Sequence, residues 1–195
     1  SMISAAQMLI TELVELDRAF FSIKAVTKAT DREMRAITRS IREVALATNF
    51  SSREIANSAE LLGQAGVKPE DMDRVMMATA QFASATNSSL EVAADLITTV
   101  KTVYKDLEKT PGVIGDQLTR AINISKLSAE DLKTILSLTS QTAESYNVSL
   151  EQLLGAVTTL RNAGIKPSTV ATGLRQAMLE AFNPDGNTSK ALAAR

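Results

Sequence analysis

No cysteine, histidine or tryptophan occurs anywhere in the 195 residues of the chain. Without Cys or His there is no zinc site of the usual nitrogen and sulfur type, no Ser-His-Asp or Cys-His nucleophile and no axial haem histidine. No disulfide can staple the chain. Charge of one sign is also missing: 21 Lys and Arg stand against 22 Asp and Glu, for a net charge of −1. A dedicated nucleic-acid binder normally carries a large basic excess, so no specific nucleic-acid partner is expected. No apolar run approaches the ~18 residues needed to span a bilayer. The start, Ser1-Met2-Ile3-Ser4, lacks the basic and apolar regions of a secretory signal, so a soluble chain is expected, with Ser1 read as a tag-cleavage scar. What remains is carboxylate chemistry, backbone chemistry, or contact without chemistry. The last is the leading reading: no enzyme, no cofactor and no metal.

Aromatic residues are scarce at 4%, whereas hydrophobic residues reach 45%. The core must therefore be built from Ala, Leu, Ile, Val and the seven Met. Small apolar residues let helices approach closely and rank high in helix propensity. With eight Gly and four Pro in the whole chain, long loops have little to form from. Composition points to an all-α protein.

Helix starts are legible. A Ser or Thr followed three residues later by an acid or amide satisfies two otherwise orphaned backbone donors. The pattern occurs at Thr30…Glu33, Ser51…Glu54, Ser88…Glu91 and Ser149…Gln152, with Ser128…Asp131 as a shorter-armed form. Apolar residues then recur with helical period, as Met34, Ile37, Ile41 and Val44, and again as Leu150, Leu153, Leu154, Val157 and Leu160. Two helix ends are near duplicates, Ala65-Gly66-Val67-Lys68-Pro69 and Ala163-Gly164-Ile165-Lys166-Pro167. Glycine supplies a left-handed stop, and proline then opens the next helix. The duplication aligns residues 49–69 with 147–167 without a gap and reads as an internal αα-hairpin repeat.

The spacing predicts helices near 4–28, 31–47, 52–65, 69–85, 89–108, 113–124, 129–145, 150–163 and 168–182. The expected fold is a compact all-α bundle of about eight or nine helices built from αα-hairpins. The expected organisation is an N-terminal helix in 1–30, a helical core domain in 31–182, and a turn with a frayed or truncated tail in 183–195.

Candidate sites are few. Arg32, Arg35, Arg39 and Arg42 share one stripe of the second helix, opposite its apolar face. A solvated face explains them, because Asp31, Glu33 and Glu43 share that helix; a partner-contact stripe is the alternative. Leu90, Ala93, Ile97, Val100, Tyr104 and Leu107 follow an a/d heptad, which serves an intramolecular seam or self-association. The pairs Glu70/Asp71 and Glu130/Asp131 sit in first turns, where they complement the helix dipole rather than face each other across a cleft. Asn49, Asn87, Asn147 and Asn187 each begin an Asn-x-Ser triplet, and three of these coincide with expected helix starts.

The order of the motifs adds more than any one of them. Ala47-Thr48-Asn49-Phe50-Ser51-Ser52-Arg53-Glu54-Ile55-Ala56 is followed by Leu61-Leu62-Gly63-Gln64-Ala65-Gly66-Val67. Then come Ser89-Leu90-Glu91-Val92-Ala93-Ala94-Asp95-Leu96-Ile97-Thr98 and Ser149-Leu150-Glu151-Gln152-Leu153-Leu154. In this order the chain resembles the core region of phage tail tape measure proteins over about residues 20–182. The resemblance implies a virion structural role: setting tail length during assembly, filling the tail tube, and leaving through the tip to help DNA cross the host envelope. It implies other tail proteins as partners (tube, tail tip or baseplate, assembly chaperones), and it places the protein in the virion tail and, during assembly, in the bacterial host cytoplasm. A ruler is an extended helix, and 195 residues would span roughly 290 Å if unbroken. Capped turns interrupt this segment, so a compact helical module beside the ruler is expected. A cellular αα-repeat adaptor that binds protein partners is the alternative, and a carboxylate-only enzyme the third reading.

Overall fold

The computed structural model describes residues 2–104 and 110–181. Among the described residues there are nine α-helices and no strand: α1 (Met2–Thr27), α2 (Asp31–Ala47), α3 (Ser52–Gln64), α4 (Met72–Thr86), α5 (Leu90–Val103), α6 (Pro111–Asn123), α7 (Ala129–Ser145), α8 (Leu150–Asn162) and α9 (Pro167–Ala181). The fold is all-α. The expected last turn of α5 with Leu107, the turn and tail of 183–195, the triplet at Asn187 and the scar at Ser1 lie outside the described residues.

Capping chemistry sets the helix bounds. Reciprocal boxes form at Thr30/Glu33, Ser51/Glu54, Ser128/Asp131 and Ser149/Gln152. The box expected at Ser88/Glu91 does not form. Asn87 takes a left-handed conformation (φ 52°) and sends the Ser88 amide back to the Ala83 carbonyl, so the helix starts later and Ser89 accepts from the Val92 amide. Thr110 caps α6, which places Pro111 at its first position, two residues before the expected start. Pro167 opens α9 directly, whereas Pro69 first opens a 3-10 turn, Pro69–Asp71.

Exits are equally local. Gly66 and Gly164 end α3 and α8 at φ 84° and 85°, conformations that cost a side-chain-bearing residue free energy. Behind each, the next amide reaches a carbonyl five residues back, Val67 to Leu62 and Ile165 to Leu160. Asn147 does the same work after α7 at φ 57°. Asn87 and Asn147 thus end helices, and the serines two residues after them, Ser89 and Ser149, begin the next.

The chain divides into two compact units, Ser1–Ala94 and Asp95–Arg195. In the first, α3 packs on α1, α2 and α4. Its start bonds α1 through Arg53 and Glu15, and Gly63 near its end meets Val26 and Thr27, so α1 and α3 run parallel. The core holds Ile23, Ile41, Ile55, Leu62, Met72, Met76 and Phe82, each fully buried and each stabilising by about 1.5–3 kcal/mol relative to exposure. In the second unit α7 packs on α9, and α8 on α6, α7 and α9.

The repeat extends beyond one hairpin. The bounds of α7, 129 and 145, stand 98 residues after those of α2, 31 and 47; the bounds of α8 stand 98 after those of α3. Buried positions correspond as well: Ala29 with Leu127, Ile37 with Ile135, Ile41 with Thr139, Ala59 with Val157, and Met72 with Val170. Gly63 and Arg161 break the symmetry most sharply. Where the first unit has Gly63 against Val26 and Thr27, the second has Arg161, which donates to the carbonyls of Ile165 (2.5 Å) and Lys126 (2.6 Å).

Candidate partner-contact surfaces

Among the described residues no group of three Asp and Glu side chains is placed to hold a metal ion. The acidic pairs serve their own helices. Asp131 closes a capping box, and Asp71 pairs with Arg74. Hydrogen bonds from Thr30 and Ser51 hold the carboxyls of Glu33 and Glu54 below the usual range, and Lys24 with Arg35 does the same for Asp31. These are groups fixed as anions at helix starts.

The heptad of α5 is filled from within the chain: Ala93, Ile97, Val100 and Tyr104 are buried. Burial pushes the Tyr104 hydroxyl up to about 12, with Glu144 adding to the effect, and its oxygen has no hydrogen-bond partner among the described residues.

The exposed surfaces hold the remaining candidate site. Arg32, Arg35, Arg39 and Arg42 are all exposed, and among the described residues no ion pair engages any of them. The apolar side chains opposite, Ile37, Ile41 and Val44, are buried, which leaves the guanidiniums facing outward. Arg35 lines an open groove of about 510 Å3 between α1 and α2. On one wall stand Asp17, Phe20, Phe21 and Lys24, on the other Asp31, Met34, Arg35 and Thr38. Lys24 and Asp31 close one end with a 2.6 Å ion pair.

The larger feature escaped sequence reasoning. The first half of α1 extends past the start of α3, and four large apolar residues there stand in solvent: Met8 is 73% exposed, Ile10 62%, Leu13 62% and Val14 56%, with Phe21 further along at 78%. The signal was present. α1 is apolar on two faces: Ala19 and Ile23 are buried, whereas Ile10, Leu13, Val14 and Phe21 lie on the far side. An exposed apolar stripe rimmed by polar residues marks a contact surface. A second, smaller groove of about 270 Å3 lies between α6 and α8, floored by Ala121, Leu154 and Gly155 and spanned by a 2.8 Å bond from Gln117 to Glu151.

A molecule of short capped helices with exposed apolar and arginine faces matches a known sequence pattern. The sequence model of the phage-related minor tail protein family matches residues 38–194. The chain belongs to that family. It is 22% identical over 162 residues to the tape measure protein of Pneumococcus phage Dp-1, covering 83% of this chain and 14% of that protein. It is 24% identical over 160 residues to the probable tape measure protein of Escherichia phage P2, covering 82% of this chain and 20% of that one. The chain therefore spans a fifth or less of the length of these curated relatives. No solved structure matches it.

Proposed function

We propose that the chain is a folded helical module of a phage or prophage tail tape measure protein, acting in tail assembly, length determination and genome delivery through protein–protein contacts. Its partners are other tail proteins of the tube, the tip or baseplate, and the assembly chaperones. It works without catalysis. It resides in the virion tail and, during assembly, in the bacterial host cytoplasm.

The observation that carries this reading is a family match over residues 38–194 whose described part falls on helices of only 13 to 17 residues, with capped turns ending α2, α3, α4, α6, α7 and α8. An extended ruler needs long unbroken helices, and this segment turns back on itself. The module therefore contributes contacts rather than length. The same match leaves the cellular-adaptor alternative without support.

An in-frame deletion of the module from its parent gene, scored by electron microscopy of tails, tests the reading. We expect few assembled tails, with those that form close to full length. Abundant tails shorter by roughly 290 Å would make the segment part of the ruler, and normal numbers of normal tails would remove it from assembly altogether.

A further inference from the structure

We propose that the α1/α2 groove with the exposed face of α1 is a docking site for an amphipathic acidic helix of another protein. Successive residues advance by about 100° around a helix. On that count Ile10, Leu13, Val14, Asp17, Phe20 and Phe21 lie within roughly a third of the circumference of α1. The last three line the groove, and Ile10, Leu13 and Val14 continue it as exposed apolar surface.

α2 supplies the opposite wall and the charge. Lys24 stands against Asp31, and Asp17 shares the groove with Thr38, so a step of seven residues down α1 matches seven up α2. Extended at that register, Arg42, beyond the groove lining itself, comes level with Leu13 and Val14 by residue count. Apart from the Lys24–Asp31 pair that closes one end, one wall is thus apolar with a single carboxylate, Asp17, and the other side carries Arg35 in the groove and Arg42 beyond it, neither engaged in an ion pair among the described residues. A complementary occupant is a helix whose apolar stripe seats on α1, whose carboxylates face α2, and which brings one cation to Asp17. A membrane surface fits worse: the cradle is concave, and Asp17 in mid-stripe would be driven toward anionic headgroups and acyl chains. A second copy of the chain fits worse too, because Glu12 and Glu15 lie on the opposite side of α1 from the stripe, where Glu15 already pairs with Arg53.

The inference rests on the reading of the chain as a protein-contact module and names what that contact recognises. The test uses the 195-residue chain and two labelled designed helices of about 20 residues, identical in their leucine stripe but flanked by Glu in one and Lys in the other. We expect fluorescence anisotropy to show the Glu helix binding about tenfold tighter than the Lys helix. Arg35→Glu with Arg42→Glu should reverse that order, and Leu13→Ser with Phe21→Ser should abolish binding of both. All four side chains are exposed, and unchanged circular dichroism checks that the variants fold. Equal or tighter binding of the Lys helix overturns the proposal, as does no binding of either. Sedimentation that shows a dimer lost in Phe21→Ser assigns the face to a second copy instead, and uptake onto phosphatidylglycerol vesicles lost in the same variant assigns it to a membrane; either result overturns the proposal. Failed peptide binding alongside defective tails in the deletion sinks this inference alone, whereas normal tails in the deletion sink the function it rests on.

Discussion

At the scale of single residues, two glycines in corresponding helices invite opposite outcomes. A Cβ at Gly63 would meet the Cγ2 atoms of Val26 and Thr27 at 2.8 Å, and both neighbours are β-branched and stiff. Gly63→Ala is expected to cost about 1–3 kcal/mol by overpacking. Gly155 in α8 has nothing within 4 Å of the same position. Gly155→Ala should therefore gain about 0.5–1 kcal/mol from helix propensity. Urea unfolding of the two variants checks the contrast. Tyr104 offers another case: its hydroxyl oxygen is buried and unpartnered among the described residues. Tyr104→Phe should leave stability unchanged or raise it by about 1 kcal/mol. Its raised value favours the neutral phenol in the fold, so that contribution is present below the ordinary 10.0 and is lost as pH climbs toward about 12. The variant's stability should lack that alkaline loss. The capping carboxylates work in the other direction. Glu33 and Glu54 titrate below their ordinary 4.5, so their contribution is present above that pH and disappears as pH falls through the lowered values. A Thr30→Ala, Ser51→Ala double variant should show a shallower fall in urea midpoint below about pH 4.5 than the parent chain.

At the scale of elements, the bounds of α2, α7 and α8 were legible because caps and stops are written within three or four residues of where they act. The spacing of Thr30 and Glu33 carries its own geometry, as does Gly164 before Pro167. What local reading misjudged was competition between overlapping signals. Ser88 and Ser89 both suit a cap, and the left-handed turn at Asn87 decided for the second. Half of the candidate site was legible: a stripe of arginines follows from periodicity alone, so Arg32, Arg35, Arg39 and Arg42 could be placed on one face. The groove beside them could not, since it depends on where α1 lies and no local rule sets that. Arg161 is a further element-scale device hidden from the sequence. It ties the end of α8 to the α6–α7 junction through the Lys126 carbonyl, and Asn162 adds a 3.0 Å bond to the Ile124 carbonyl. Arg161→Ala should cost about 1.5–3 kcal/mol, the range for hydrogen bonds to a charged group. Thermal unfolding would show it, and Arg161→Lys should recover little, because an ammonium lacks the fork that reaches two carbonyls.

At the scale of the whole molecule, the absence of His and Cys removed the common nucleophile and zinc mechanisms, and small apolar side chains fill the helical seams instead. The family match, from residue 38 to 194, reaches into both units. The 98-residue repeat has a consequence of its own. A chain that carries one helical plan twice faces a sorting problem as it folds, because α3 and α8 are interchangeable to the chain until their side chains meet a neighbour. The residues that differ between the copies are placed to do that sorting. Arg161 would bring a charge into the tight seam that Gly63 fills with no side chain, and Gly63 would leave two carbonyls of the other unit unbonded. Ile41 and Thr139 disagree in polarity at one buried position. If divergence between the copies guards against exchanged helices, a chain made more symmetric by Arg161→Gly should refold with more misassembled product than the parent.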